Sequence, residues 1–400
     1  PLAPLDPVRF AFSPTETLSS GVLVRHVQVS TLPLVHFRLA IPVGFSNEDQ
    51  PGLAALTGWA LVEDAVGSGW SGFASADGLV DMQVQVFPTA TVFSGAVLSR
   101  DIDRLVAGLR EMITQPSFST AGVKRARLIA ARGLVSSQIL ADDTGMFGTP
   151  YLDVAEFERD LSKLEPWHCR AFHRSWYRSD GATVAFVGDV SVGQARLLAE
   201  RMFAGWQTSM VKTSMVQTSN GQASMARSGG QQSGSRPTDS RRIDVDPDRL
   251  VTVMIAANGP PQDHPDWPAL WLVAQRLGSE CSPLPWSVGL AVFRVCKTMR
   301  VSQTEGWVSD IRRQLESMGA RGMPSSVADA DKRRIVDSEV RRLSDPSALA
   351  DTITMWEPSL VSGFGILLDG VDSVKGVRAV VSRYLGSGSV RVVLVRPKSP

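Results

Sequence analysis

The sequence predicts an α+β protein made of two tandem repeats, each an antiparallel sheet with helices on one face. Three observations carry that expectation. Strand patterns cluster and helical patterns follow them in pairs, which suggests stacked α+β layers and not βαβ winding. Two separate features recur at almost the same offset: Lys124-Arg125-Ala126-Arg127-Leu128 and Lys332-Arg333-Arg334-Ile335-Val336 open helical patterns 208 residues apart, and the tyrosines of Trp176-Tyr177-Arg178 and Arg383-Tyr384-Leu385, each leading into an apolar strand, stand 207 apart. Finally, residues 207–242 repeat Thr-Ser-Met-Val, are rich in Ser, Gln, Thr and Gly, and hold few large apolar side chains. Such a stretch cannot offset its own ordering entropy and reads as a linker, leaving repeats at 1–206 and 243–400.

In the first repeat, Val22–Gln28 and Leu34–Ile41 read as strands, one β-branched and partly alternating, the other mostly apolar. Residues 52–66 place Leu53, Leu56, Trp59, Ala60 and Leu61 at helical spacing, with Pro51 near the start, where a missing amide hydrogen costs nothing. Asp81–Val86 alternates as a half-buried strand does. Ser99 can cap a helix with Ile102, Leu105, Val106, Leu109 and Ile113 on one face, and Ser119 or Thr120 can cap the next. The repeat closes on the strand Ala182–Val187, matched in the second repeat by Val390–Val395.

Composition narrows the function. The 400 residues are 43% hydrophobic and 20% charged, enough for two cores. Lys plus Arg number 41 against 40 acidic residues, so no strong field draws the chain to nucleic acid or anionic lipid, and neither partner is expected. No apolar run reaches the roughly 18 residues of a membrane span. Cys169, Cys281 and Cys296 are odd in number and lack CxxC spacing, which suits a reducing compartment and a cytoplasmic location. The chain starts on Pro1, so a trimmed targeting segment stays open.

The ordered set of features resembles the insulinase/pitrilysin zinc peptidases, the group that includes the mitochondrial processing peptidases. There, the segment after the second strand reads Gly-Leu-Ala-His-x-x-Glu-His on a helix; here it reads Gly52-Leu53-Ala54-Ala55-Leu56-Thr57-Gly58-Trp59. In that motif two histidines four apart hold Zn²⁺ and the glutamate acts as general base on the bound water. Ala55, Gly58 and Trp59 stand at those three positions and can do neither. The resemblance also implies a third ligand, a glutamate on the helix beginning near Gly122, yet no Asp or Glu occurs between Met112 and Ala141, and Lys124, Arg125, Arg127 and Arg132 would repel a dication. No catalytic residue and no metal are therefore expected in this chain.

The resemblance further implies that Gly72, Phe73, Ala74 and Ser75 form the edge strand on which an extended peptide pairs. It also implies an Arg and a Tyr, seven apart in the second copy, that stabilise the oxyanion across the cavity. Phe293-Arg294 fits the Arg position, but Val301 stands where the Tyr should be; Arg294 or Arg300 offers half of the pair. Two repeats make half of the family's four-repeat clamshell, so a homologous subunit bearing the intact zinc motif, and the zinc with it, is the implied partner, and a peptide the implied substrate. Rival readings are a structural scaffold or homodimer without peptidase role, and a repurposed cavity enzyme acting on a small molecule.

Other constellations carry less. His168, Cys169 and His173 are interleaved with Trp167, Phe172 and Trp176, and only Cys169 and His173 share a helical face, which does not make a metal site. His26 and His36 fall in strands and read as solvent-facing or core residues. Gly67, Gly69 and Gly72 match Gly-x-Gly-x-x-Gly but follow a helix and precede a strand, the reverse of the dinucleotide-binding context. No Gly-x-Ser-x-Gly elbow or phosphate loop occurs. Most of the ten tryptophans sit among apolar neighbours and read as core.

Overall fold

The computed structural model describes residues 13–67, 82–87, 89–136, 154–206, 250–260, 264–280, 292–355, 367–386 and 389–395. Its first sheet has six strands: β1 (Glu16–Thr17), β2 (Leu23–Gln28), β3 (Leu34–Ile41), β4 (Gln83–Val86), β5 (Thr91–Leu98) and β6 (Thr183–Gly188), in the order β1-β2-β6-β3-β5-β4. Every neighbouring pair is antiparallel except β2 and β6, which run parallel.

The side-chain period of two divides these strands between two environments. Val24, Val35, Phe37, Leu39, Ile41, Phe93, Val184 and Phe186 face one core. That core is closed by α1 (Leu53–Gly67), α2 (Ile102–Thr114), α3 (Thr120–Ser136), α4 (Val154–Lys163), α5 (Pro166–Trp176) and α6 (Val192–Phe203). On α2 the buried residues Ile102, Leu105, Val106, Leu109, Met112 and Ile113 follow the helical period read from the sequence.

The second sheet holds β7 (Leu250–Asn258), β8 (Val292–Arg300) and β9 (Arg391–Val395), with β7 central and antiparallel to both neighbours. The same arrangement surrounds β3, flanked antiparallel by β5 and β6. The helices repeat too. α7 (Trp267–Arg276) follows β7 as α1 follows β3; α8 (Thr304–Arg321) and α9 (Ser325–Leu343) follow β8 as α2 and α3 follow β5. α11 (Lys375–Tyr384) precedes β9 as α5 precedes β6, with α10 (Pro346–Met355) between α9 and α11. The second core gathers Ile255, Phe293 and Val295 from the sheet with Trp267, Leu270 and Trp271 of α7.

The residues that mark the duplication have diverged in role. Lys332 is buried, and its Nζ donates to the carbonyls of Asp369 and Val371 at 2.9 and 3.0 Å, whereas Lys124 is exposed. Tyr384 donates its hydroxyl to Asp266 Oδ2 at 2.9 Å, tying the end of α11 to the start of α7, while the Tyr177 hydroxyl is enclosed in the first core.

α10 joins the two repeats. It lies on the outer face of the first sheet, where Leu349, Ala350 and Ile353 pack on Val27, Ala185 and Val187. Two buried arginines fasten it. Arg25 Nη1 donates to the carbonyls of Ile353 and Thr354 at the C-terminal end of the helix, at 2.8 and 3.1 Å, where a cation also complements the helix dipole. Arg38 Nε pairs with Asp351, and its Nη2 donates to Ser347 O and Oγ. The first sheet thus carries its own helices on one face and a helix of the second repeat on the other.

Ser99 does not cap α2; its hydroxyl donates to Asp189. Ser119 does cap α3, accepting from the Gly122 amide at 3.0 Å. Among the described residues no helix is long and apolar enough to cross a membrane. Cys169 is a buried free thiol, and Cys296 is disulfide-bonded.

Candidate functional site

α1 is positioned from both ends. Glu48 accepts from the amides of Gly52 and Ala54 at 3.1 and 2.8 Å, satisfying donors that the first helical turn leaves open. Gly52 adopts φ +84, and a Cβ there would fall 2.7 Å from Leu161 and Phe157, so only glycine fits this entry. At the far end Asp64 accepts from Ser117 Oγ and from both the amide and the hydroxyl of Ser119, so α1 fixes the start of α3. A Cβ on Gly122 would collide with that carboxylate.

The three positions at issue lie between these anchors. Ala55 and Trp59 are half-buried and packed against the first core. Gly58 is buried, and a Cβ built on it would stand 2.9 Å from Val84 Cγ1 and 3.4 Å from Thr91 Cγ2. β4 therefore rests directly on the helix where a glutamate would need to project. Packing thus fills the space beside Gly58, the position that the resemblance aligns with a general base.

The helix expected to carry a third ligand offers none. Arg125 pairs with Glu63 at 2.8 Å, and Arg127 Nη2 donates to the Leu164 carbonyl at 2.6 Å. The nearby carboxylates of Glu48, Glu63 and Asp64 are thus committed to backbone amides, hydroxyls or arginine. Among the described residues no group of three or more His, Cys, Asp or Glu is placed to hold a metal.

Under α1 lies an enclosed polar cluster that the sequence reading did not single out. Thr57 Oγ1 and the Tyr177 hydroxyl are buried there, beside Cys169 and Thr91, and among the described residues neither makes a hydrogen bond of normal geometry. Burial pushes the Tyr177 hydroxyl up, and pushes the nearby Cys169 thiol up to about 11, so both stay protonated and unreactive at neutral pH.

The histidines of α5 and the strands act structurally. Burial lowers His173 to about 4; its neutral ring stacks on Tyr177 and its Nε2 donates to the Ile113 carbonyl at 3.0 Å. His168 Nδ1 accepts from the Glu165 amide, and its ring stacks on Trp167. His26 bridges Ser13 and the Val190 carbonyl, and His36 lies near Arg38, Asp345 and Asp351; burial lowers both.

The residues expected to face a substrate divide. Gly72, Phe73, Ala74 and Ser75 lie outside the described residues. Arg294 is only 4% exposed, across from Ala256 in the second sheet, and burial pushes it down to about 9, so it is not displayed on a surface. Arg300 is exposed at the end of β8. The residues that sequence reasoning missed are Arg25 and Arg38; the signal was a pair of arginines inside otherwise apolar strands.

Residues 167–298 match the family model described as the peptidase M16 inactive domain. No curated protein gives a significant match. Among solved structures, the chain is similar to a peptidase M16 inactive domain from Pseudomonas fluorescens, with a TM-score of 0.68 and 17% identity over 97% of this chain and 99% of that one. A putative M16-like peptidase from Alicyclobacillus acidocaldarius gives 0.68 and 11%, covering 98% and 100%. The periplasmic protease PqqL from Escherichia coli gives 0.60 and 16%, covering 97% of this chain but 46% of that one. At these identities the likeness is one of fold.

Proposed function

We propose that this chain, an M16-type peptidase homologue, is the non-catalytic partner subunit of a heterodimeric zinc peptidase. In this reading it walls one side of a closed chamber and helps hold an extended peptide, while a homologous subunit with the intact motif supplies zinc and performs hydrolysis. The observation that carries the reading is α1, whose general-base position, Gly58, is closed by Val84 and Thr91 and whose ligand positions are Ala55 and Trp59. A chain so built neither binds the metal nor activates water.

In this reading a homologous unit completes the chamber. The chain spans about half the length of PqqL, and two repeats leave a clamshell open on one side. Within this reading, residues 72–75 offer the peptide a strand edge, and the exposed Arg300, not the enclosed Arg294, is the arginine that meets a substrate carbonyl. The disulfide at Cys296 supports work in an oxidising compartment, in keeping with the periplasmic location of PqqL.

The reading is tested on the purified chain with zinc and a labelled extended peptide. Peptide binding without cleavage and without stoichiometric zinc uptake is expected. One tightly held zinc per chain, or cleavage abolished by a chelator, would overturn it.

A further inference from the structure

α5 presents an outward stripe unlike the rest of its surroundings. Trp167, Arg170, Ala171 and Arg174 lie about one helical turn apart on its exposed side, and Arg178 continues the line just past the helix end. Trp167 is 59% exposed, a large loss of apolar burial for an indole with no role. It is also held in place, its ring stacked on His168 at 3.5 Å while His168 is fixed by the Glu165 amide.

Beside the stripe opens a pocket of about 310 Å³ between the C-terminal end of α2, α5 and Trp206. Arg170, Arg174 and Arg178 all line it, and among the described residues no carboxylate does. Arg170 is pre-oriented, its Nη1 donating to the carbonyls of Ser117 and Phe118 at 2.9 and 3.2 Å, which leaves other donors of its fork available. Among the described residues Arg174 makes no hydrogen bond or ion pair.

We propose that this face of α5 and its pocket form a docking surface for an acidic segment of a partner protein, whose carboxylate enters between Arg170 and Arg174 while an apolar side chain covers Trp167. Tryptophan and arginine are the residue types that most often dominate binding energy, and bidentate guanidinium–carboxylate pairs supply orientation. Net charge near zero over the whole chain makes this local excess a directional signal and not a general one. The surface stands apart from the zinc-partner reading and survives if that reading fails.

The test is fluorescence anisotropy of a labelled oligoglutamate peptide with the full chain, oligolysine serving as control. Binding that weakens with salt, falls at least about tenfold in Arg174→Glu and several-fold in Trp167→Ala, is expected. Arg174→Glu leaves the Ser117 and Phe118 bonds intact, so it should fold. Equal affinity in both variants would overturn the proposal. So would full displacement of the peptide by inorganic phosphate with no effect of Trp167→Ala, which would mark a small-anion site, or a wild-type homodimer that dissociates in Arg174→Glu, which would mark a second copy as the occupant.

Discussion

At Gly58, the position that the resemblance aligns with a general base, packing leaves no room for a side chain. With Val84 2.9 Å from where its Cβ would lie, even Gly58→Ala must push β4 away from α1, at a cost of about 1–3 kcal/mol in a thermal or urea unfolding experiment. Restoring Ala55→His, Gly58→Glu and Trp59→His together should give a destabilised protein without hydrolytic activity, because α3 offers no third ligand either. Chelator-sensitive cleavage by that triple variant would show that the second half of the metal site has been misread. His173 adds a pH dependence. Its ordinary value of 6.5 drops to about 4 in the fold, so between those pH values the unfolded chain binds the extra proton. Its neutral form therefore supports the fold fully above about pH 6.5, and that support is lost as pH falls towards 4, by on the order of 3 kcal/mol at the limit. Urea midpoints at pH 7.5 and 5 should differ in that direction, and less so in His173→Phe.

At the scale of elements, α10 and the sheet beneath it depend on two buried arginines. Arg38→Met removes a partner from Ser347 and from the half-exposed Asp351 and should cost about 1–3 kcal/mol, with amide exchange of residues 346–355 accelerating before the rest of the protein. Unchanged exchange there would mean that the apolar contacts of Leu349, Ala350 and Ile353 suffice. Most elements were legible from periodicity: Leu34–Ile41 was read to the residue, Leu23–Gln28 and Leu53–Gly67 to within one. These are local patterns, set by which face of a strand or helix must be apolar. α10 was not legible because what it buries lies about 300 residues upstream, and nothing in its own sequence names Arg25 or Arg38. The parallel pairing of β2 with β6 is hidden for the same reason, as is the contact that Gly58 permits; alignment to a motif reports the missing glutamate and not the valine in its place.

At the scale of the molecule, the repeat offset and the matching order of strands around β3 and β7 describe one layout used twice, and the chain spans about half the length of PqqL. The duplication was visible in sequence through Tyr177 and Tyr384, although one is enclosed and the other anchors Asp266. The central claim is that this half acts with a catalytic counterpart. Its most direct test is the solution mass of the chain alone and mixed with a homologue that retains the intact zinc motif from the same source, with peptide cleavage followed in the mixture. The account predicts a one-to-one complex that cuts peptide when neither chain does so alone. A stable, inert homodimer that ignores the homologue would contradict it.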